Sequence, residues 1–360
     1  MTRIGIVAGQ STTQIDDAKK VVEEIKKYGD EVIYEESFAD NISEKGVHLN
    51  AIDVDILIIV GSDRLLLRTL LELGNKTIPI LPISSKGQPD FLFDVTISSF
   101  PTIIEDLMDK KWTKDPRTRL TANISGDLSP PILNDIGLFA KRSATLIRYE
   151  LYLDGEPFWS DGSDGLLIAT PTGSTAYSMS VGGPVVLNTA AVFAIVPVNS
   201  VNPSRHPIIV PEGTEVEIRH LSKSVPTEIV LDGQIRTRVD GSPVVIQKSD
   251  DDAIFVKFDE EKVAALRGKL MKKAEITEDL VHDLPPSAKL VLKMLEYQGQ
   301  LTHKQIIEET MLPPRTVRYA LSLLLSEGLI KKRVSLRDGR QALYAMINII
   351  AENEDNKDAK

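Results

Sequence analysis

The sequence predicts an α/β lobe followed by a β-rich lobe and then a small C-terminal α+β domain. Three observations predict it. Strands and helices alternate at first, the pattern of a parallel sheet with crossover helices. After about residue 121, short runs rich in Ile, Val and Thr and punctuated by Gly, Pro and Asp take over, as in a mainly antiparallel domain. Basic charge is concentrated at the C-terminal end. The 360 residues carry a net −10, yet residues 285–348 hold 10 Lys and Arg against 5 Asp and Glu, leaving 32 against 47 elsewhere. The expected limits are 1–120 for the α/β lobe, 121–275 for the β-rich lobe and 284–350 for the C-terminal domain.

Residues 3–7 read as a short buried strand. Residues 16–28 follow with Ala18, Val21, Val22 and Ile25 at helical spacing and Gly29 as a stop. Residues 31–34 form the next strand, the apolar run 54–60 a strong one leading straight into Gly61, 63–74 a helix and 77–83 a further strand. In the second lobe 146–153, 165–170, 215–220, 228–231 and 243–248 read as strands, with helical periodicity only over 174–187. Two lobes of this kind place a ligand in the cleft between them.

No apolar stretch approaches the ~18 residues of a membrane helix, and the N-terminus lacks the features of a signal peptide. A cytoplasmic protein with no membrane partner is expected. The absence of cysteine excludes disulfides, thiolate zinc sites and a cysteine nucleophile. His48, His206, His220, His282 and His303 show no metal-ligand spacing, so no metal site is expected from them.

Beyond residue 274 the helical period returns. Leu290, Val291, Met294 and Leu295 share a face of 288–297, and Thr302 caps a helix running to 309. Val317, Ala320, Leu321, Leu324 and Leu325 recur at 3.6 spacing before Gly328. Residues 334–337 and 341–346 would form a hairpin around Asp338-Gly339, a favoured two-residue turn. Helix, helix, turn, helix, hairpin is the order of a winged helix-turn-helix. Arg315, Thr316, Arg318 and Tyr319 occupy the start of its third helix, the end that enters a major groove. Lys331, Lys332, Arg333, Arg337 and Arg340 line the hairpin, where a wing would grip phosphates. Residues 312–330 resemble the recognition helices of archaeal and bacterial winged-helix regulators, which implies double-stranded DNA as partner. The other reading is a winged helix used only for protein contacts.

The densest motif runs Asp164-Gly165, then Thr170-Pro171-Thr172-Gly173-Ser174-Thr175-Ala176-Tyr177-Ser178 and Gly182-Gly183-Pro184. A strand stops at a Thr/Pro/Gly turn and a helix begins under Ser174 and Thr175, so hydroxyls and amides would face a polar or anionic ligand. With Leu133-Asn134-Asp135, the stretch from Asn199-Ser200 through Arg205-His206-Pro207, and Leu231-Asp232-Gly233-Gln234, this string resembles the NAD kinase family over residues 1 to about 275. The resemblance implies a NAD kinase-like core that binds a pyridine dinucleotide, NAD or NADP, its redox form left open, and that assembles as a homodimer or homotetramer. It implies Asn134 and Asp135 on the adenosine part, Asp164 on the nicotinamide side, and Thr170, Thr172, Ser174, Thr175, Ala176, Tyr177 and Asp232 around the pocket.

The departures lie in the phosphoryl-transfer loops. Where the family reads Gly-Gly-Asp-Gly-Thr, this chain has Gly61-Ser62-Asp63-Arg64-Leu65; its second loop is Ser84-Ser85-Lys86-Gly87-Gln88-Pro89-Asp90-Phe91-Leu92. Asp63, which matches the family's base, remains, while side chains replace glycines that let a backbone approach phosphates. Arg64 could instead neutralise a phosphate on the ligand. The expectation that follows is a transcription regulator sensing NAD(P)(H) with a degenerate kinase core, leaning away from an enzyme. The alternatives are an active NAD kinase using ATP or polyphosphate with Mg and a regulatory winged-helix appendage, and a pseudoenzyme whose pocket takes another nucleotide.

Overall fold

The computed structural model describes residues 2–29, 31–85, 91–142, 145–220, 225–258, 284–298, 301–327, 329–334 and 342–346. The chain divides into two units, Met1–Val263 and Ala264–Lys360.

The first unit begins with β1 (Arg3–Ala8), buried from Ile4 onward as a strand covered on both faces must be. Helix α1 (Thr12–Lys26) starts at Ser11, whose side chain accepts the Gln14 N–H, and buries Ala18, Val21, Val22 and Ile25. It thus begins several residues before the predicted 16, because the capping serine precedes the apolar stripe. There follow β2 (Glu31–Glu35), α2 (Glu36–Ile42), β3 (Gly46–Val47), β4 (Ile56–Gly61), α3 (Asp63–Leu73), β5 (Ile80–Ser84), β6 (Val95–Thr96), α4 (Phe100–Met108) and β7 (Thr113–Arg117). The pairs β2–β1, β1–β4 and β4–β5 are parallel, and β6 also pairs with β5.

The second lobe is a sandwich of two six-stranded sheets. β8 (Leu120–Ile124), β9 (Asp127–Leu128), β11 (Ile147–Leu153), β12 (Glu156–Ser163), β16 (Val216–His220) and β19 (Val244–Lys248) form one, ordered β12-β11-β16-β19-β8-β9. β10 (Asp135–Ala140), β13 (Gly165–Ala169), β14 (Val192–Val198), β15 (Ile208–Pro211), β17 (Thr227–Leu231) and β18 (Ile235–Val239) form the other, ordered β15-β14-β13-β10-β17-β18. Their inner faces share one core that includes Leu120, Ile136, Tyr149, Ile168, Ile195, Ile218 and Ile246. The helix expected over 174–187 is reduced to a 3-10 turn, Gly173–Thr175, and a short helix, Tyr177–Ser180. Gly182 at φ 86° and the Gly183-Pro184 step end it, since neither continues a helix.

The chain then returns. β20 (Ala253–Lys257) enters the first sheet between β5, parallel to it, and β7, antiparallel to it. The α/β lobe is therefore built from two separate stretches of sequence, with the β-lobe inserted between them.

In the second unit, helices Pro286–Gln298, His303–Thr310 and Pro314–Ser326 accompany a three-stranded antiparallel sheet of Leu301–Thr302, Ala342–Met346 and Ile330–Val334. Thr302 and Gln305 form a reciprocal capping box. Ala288, Val291, Leu295, Ile306, Val317, Leu321 and Leu324 make its core. The first hairpin strand starts at Ile330, earlier than the expected 334, with Ile330 paired to Met346 and Val334 to Ala342; residues 335–337 of the expected strand lie outside the described residues. The Asp338-Gly339 turn, Arg337 and Arg340 lie outside the described residues.

Candidate active site

One wall is organised by a hairpin turn. Asp232 and Gly233 join β17 to β18 with φ of 49° and 65°, the positive values an Asp-Gly turn favours. The turn directs the buried Asp232 carboxylate at the residues entering β10. It accepts the backbone N–H groups of Leu133 at 2.9 Å, Asn134 at 2.7 Å and Asp135 at 3.1 Å. The Asp232 N–H in turn donates to the Asp135 carbonyl at 3.0 Å.

The Thr170–Thr175 turn docks on the same segment. Thr170 donates its N–H to the Asn134 carbonyl at 2.9 Å and its hydroxyl to the Leu133 carbonyl at 2.6 Å, and accepts the Gly173 N–H at 3.0 Å. Gly173 packs so closely that a Cβ would stand 1.9 Å from the Asn134 oxygen. The buried Ser174 hydroxyl donates to the Pro171 carbonyl at 2.7 Å and accepts the Val186 N–H at 2.9 Å. Thr175 donates to the Thr172 carbonyl at 3.3 Å, and Thr172 donates to Asn188 Oδ1 at 3.4 Å. Ala176 is half-buried, and Tyr177 is exposed with its ring 6.0 Å from Phe139, edge-on. The sequence-predicted Asn134, Asp135, Thr170, Thr172, Ser174, Thr175, Ala176 and Asp232 are thus brought together.

Two features of this wall are chemical. Asn134 Oδ1 is buried and has no hydrogen-bond partner among the described residues, an acceptor kept for something beyond them. Burial, reinforced by the charge of Asp232, pushes the Asp135 carboxyl up to about 8. Burial also raises Asp232, to about 6, with its three amide partners opposing the rise. Burial thus favours the neutral acid more strongly at Asp135 than at Asp232, whose three amide partners hold its charged form.

Asp164 is not brought to this wall. It precedes the first residue of β13 while Thr170 follows the last, a separation of roughly 20 Å along the strand. There it is exposed and accepts the Asn199 amide at 2.9 Å.

A second element that carries predicted site residues is the turn from β4 into α3. Gly61 ends β4 buried, Ser62 is the N-cap residue, and Asp63 opens the helix half-buried, accepting the Leu92 N–H at 3.2 Å. Arg64 is exposed, and Leu65 packs against the α/β core. Residues 86–90 of the second loop lie outside the described residues. Helix α3 belongs to both lobes: Leu66, Leu67 and Leu70 share a core with Leu133, while Leu71 packs against the sandwich core. The residue bearing Asp63 and the segment bearing Asn134 and Asp135 therefore rest on the same helix.

Sequence reasoning missed Gly173 as a packing requirement, although it stands inside the quoted motif. It also missed Arg119, the second arginine of the run Arg117-Thr118-Arg119-Leu120, which carries no motif. In the second unit Arg315, Arg318, Tyr319 and Lys332 are exposed and Thr316 is half-buried. Lys331 and Arg333 stand on the strand Ile330–Val334. Among the described residues no helix is long and apolar enough to cross a membrane.

An α/β lobe and a β-sandwich, joined through one shared helix and holding a polar wall of this kind, define a two-lobed nucleotide-binding protein. The profile of the ATP-NAD kinase C-terminal domain matches residues 133–258. The NAD kinase of Methanothermobacter thermautotrophicus is 30% identical over 277 residues, covering 76% of this chain and 97% of the relative. An NAD kinase from Archaeoglobus fulgidus in complex with ATP superposes with a TM-score of 0.62 at 25% identity, over 75% of this chain and 98% of that one. Yeast NADH kinase complexed with NADH gives 0.65 at 22% identity, over 76% and 88%. The chain belongs to the NAD kinase family.

Relatives named NAD kinase correct the expectation of a DNA-binding transcription regulator with a degenerate core; the assignment of Arg315, Thr316, Arg318, Tyr319, Lys331, Lys332, Arg333, Arg337 and Arg340 to DNA stays an expectation from the sequence. The substitutions behind the earlier expectation are mild in structure. Ser62 occupies the N-cap position without a side-chain capping bond, Arg64 is exposed, Leu65 packs partly buried against the core, and Asp63 opens the helix directly after the strand.

Proposed function

We propose that this protein is an active NAD kinase that phosphorylates the adenosine ribose 2′-hydroxyl of NAD. The observation that carries the proposal is the near-complete alignment with an NAD kinase, in a chain that retains Asp63 on the helix shared with the Asn134–Asp135 wall. The wall offers the Asn134 side-chain amide oxygen, Oδ1, as acceptor and the protonated Asp135 as donor, a pair that matches the exocyclic amine and ring nitrogens of adenine. Asp63 takes the proton of the 2′-hydroxyl as that oxygen attacks the γ-phosphorus of ATP or the terminal phosphorus of polyphosphate. One P–O bond forms at the ribose, the bond to the leaving phosphate breaks, and ADP or the shortened polyphosphate departs. Magnesium would arrive with the donor phosphates, where it would offset their charge during transfer. Arg64 lies one residue after Asp63, at the start of α3, and suits a donor phosphate there.

The C-terminal unit reads as a winged helix appended to this catalytic core, where it would tune activity. Its helices and strands follow that fold's order, and the family profile ends at residue 258, before it. The subunits would assemble as dimers or tetramers.

The test is NADP formation from NAD with ATP or polyphosphate. Wild-type protein should form NADP, and Asp63→Asn should lower the rate by roughly 100-fold or more with an unchanged melting temperature. A wild-type rate indistinguishable from that of Asp63→Asn would refute the proposal.

A further inference from the structure

Arg119 has the largest fully buried side chain among the described residues, with none of its surface exposed. It stands where the lobes are joined. The chain passes from the first sheet to the sandwich through Thr118 and Arg119, between β7 and β8, and comes back through residues 249–252, between β19 and β20. Arg119 ties both crossings to α3. Its Nε donates to the Asp251 carbonyl at 2.7 Å, its Nη1 donates to the Gly74 carbonyl at 3.0 Å, and its own carbonyl accepts the Ser249 N–H at 2.8 Å. Gly74 caps the C-terminus of α3 with φ 59° and ψ −121°, a conformation open to glycine, and this aims its carbonyl at the guanidinium.

The chemistry fits the place. A cation at a helix C-terminus meets the negative end of the helix dipole. Burial lowers the pKa of Arg119, and Asp251, Asp252 and Asp232 oppose that shift; a guanidinium remains charged under such pressure. The site is nevertheless a costly way to fill space. Nη2 of Arg119 and Oδ1 of Asp252 are buried with no hydrogen-bond partner among the described residues, and an apolar side chain would pack the same volume without desolvating a charge.

Helix α3 runs roughly 16 Å from this junction to Asp63 at its other end. We propose that Arg119 is a positioning residue: it pins both lobe crossings to the end of α3 and so sets where Asp63 stands relative to the Asn134–Asp135 wall. The inference rests on the kinase reading. It assigns Arg119 to phosphoryl transfer and leaves dinucleotide binding to the sandwich.

The experiment compares full-length wild type with Arg119→Met and Arg119→Lys. NADH affinity, followed by its fluorescence, should stay within about twofold, while kcat for NADP formation falls by roughly tenfold or more, since a catalytic group displaced by about 1 Å costs that much. In Arg119→Met, hydrogen exchange should quicken at the last turn of α3 and at residues 249–252, and low millimolar guanidinium should restore part of the rate in Arg119→Ala. If Arg119→Met fails to fold, Gly74→Ala turns the accepting carbonyl away and should show the same split between kcat and affinity. Wild-type kcat in Arg119→Met, or equal losses in kcat and NADH affinity, would overturn the proposal. If wild type makes no NADP, the kinase reading fails by itself; exchange at α3 and 249–252 then decides the staple, and unchanged rates in Arg119→Met refute it.

Discussion

The two segments that carry the candidate site residues are built to different standards of rigidity. On the sandwich side Asp232 is buried and holds three successive amides, Gly173 has no room for a Cβ, and Thr170 and Ser174 are sealed into the backbone. On the α/β side Asp63 is half-buried, Ser62 is partly open and Arg64 is exposed. A substitution in the first segment breaks a network, whereas one in the second changes a side chain at the mouth of a turn. Drift in a motif therefore signals lost function only where the fold makes each residue expensive to replace. The loop at 61–65 is the cheaper place to drift.

The comparison predicts a graded series. Asp232→Ala should have the largest effect. Leaving three buried amides without their acceptor should cost on the order of 3 kcal/mol or more in urea unfolding and abolish measurable NAD binding. Retention of wild-type stability would show that this wall is not held from the turn.

Asp135→Asn should have an intermediate effect that depends on pH. Burial places the folded-state value of Asp135, about 8, above its ordinary 3.8, so the native state holds this proton more tightly than the unfolded state does. Ionisation then works against the fold: the penalty is absent below about 4, grows through the interval up to about 8 and is complete above it. The ligand-free variant should melt higher than wild type at pH 9, with the gap closing toward pH 5 in a thermal titration. A gap independent of pH would mean that Asp135 is not buried as a neutral acid.

Arg64→Gly should have the smallest effect. It restores the family's glycine at an exposed site, so the melting temperature should not move. The KM for ATP should rise severalfold if the guanidinium meets a donor phosphate. An unchanged KM would place Arg64 outside the donor site.

Much of this was legible in the sequence. The apolar run into Gly61 and five strands of the sandwich carry their own local signal and fall close to where periodicity places them, whereas the helix expected over 174–187 shrinks to a turn and a four-residue helix. The return of β20 to the first sheet had no such signal, because Ala253–Lys257 reads like any other short strand and only long-range pairing assigns its sheet. Asp232 was recognised by motif, but its three amide contacts depend on a turn bringing residues about a hundred positions apart together. Arg119 was invisible for the same reason. The charge in the C-terminal unit was legible too, yet a basic surface does not by itself name a partner.

The late arrival of β20 also bears on how the protein is made. Until residue 257 has left the ribosome, β5 lacks the neighbour that separates it from β7, and the first sheet presents an unsatisfied edge. The α/β lobe cannot finish folding when its own first stretch has been synthesised. It must wait for the whole sandwich, so synthesis leaves a long interval in which an incomplete sheet can pair with the wrong chain. A nascent chain stalled before residue 253 is the species a chaperone would have to shield.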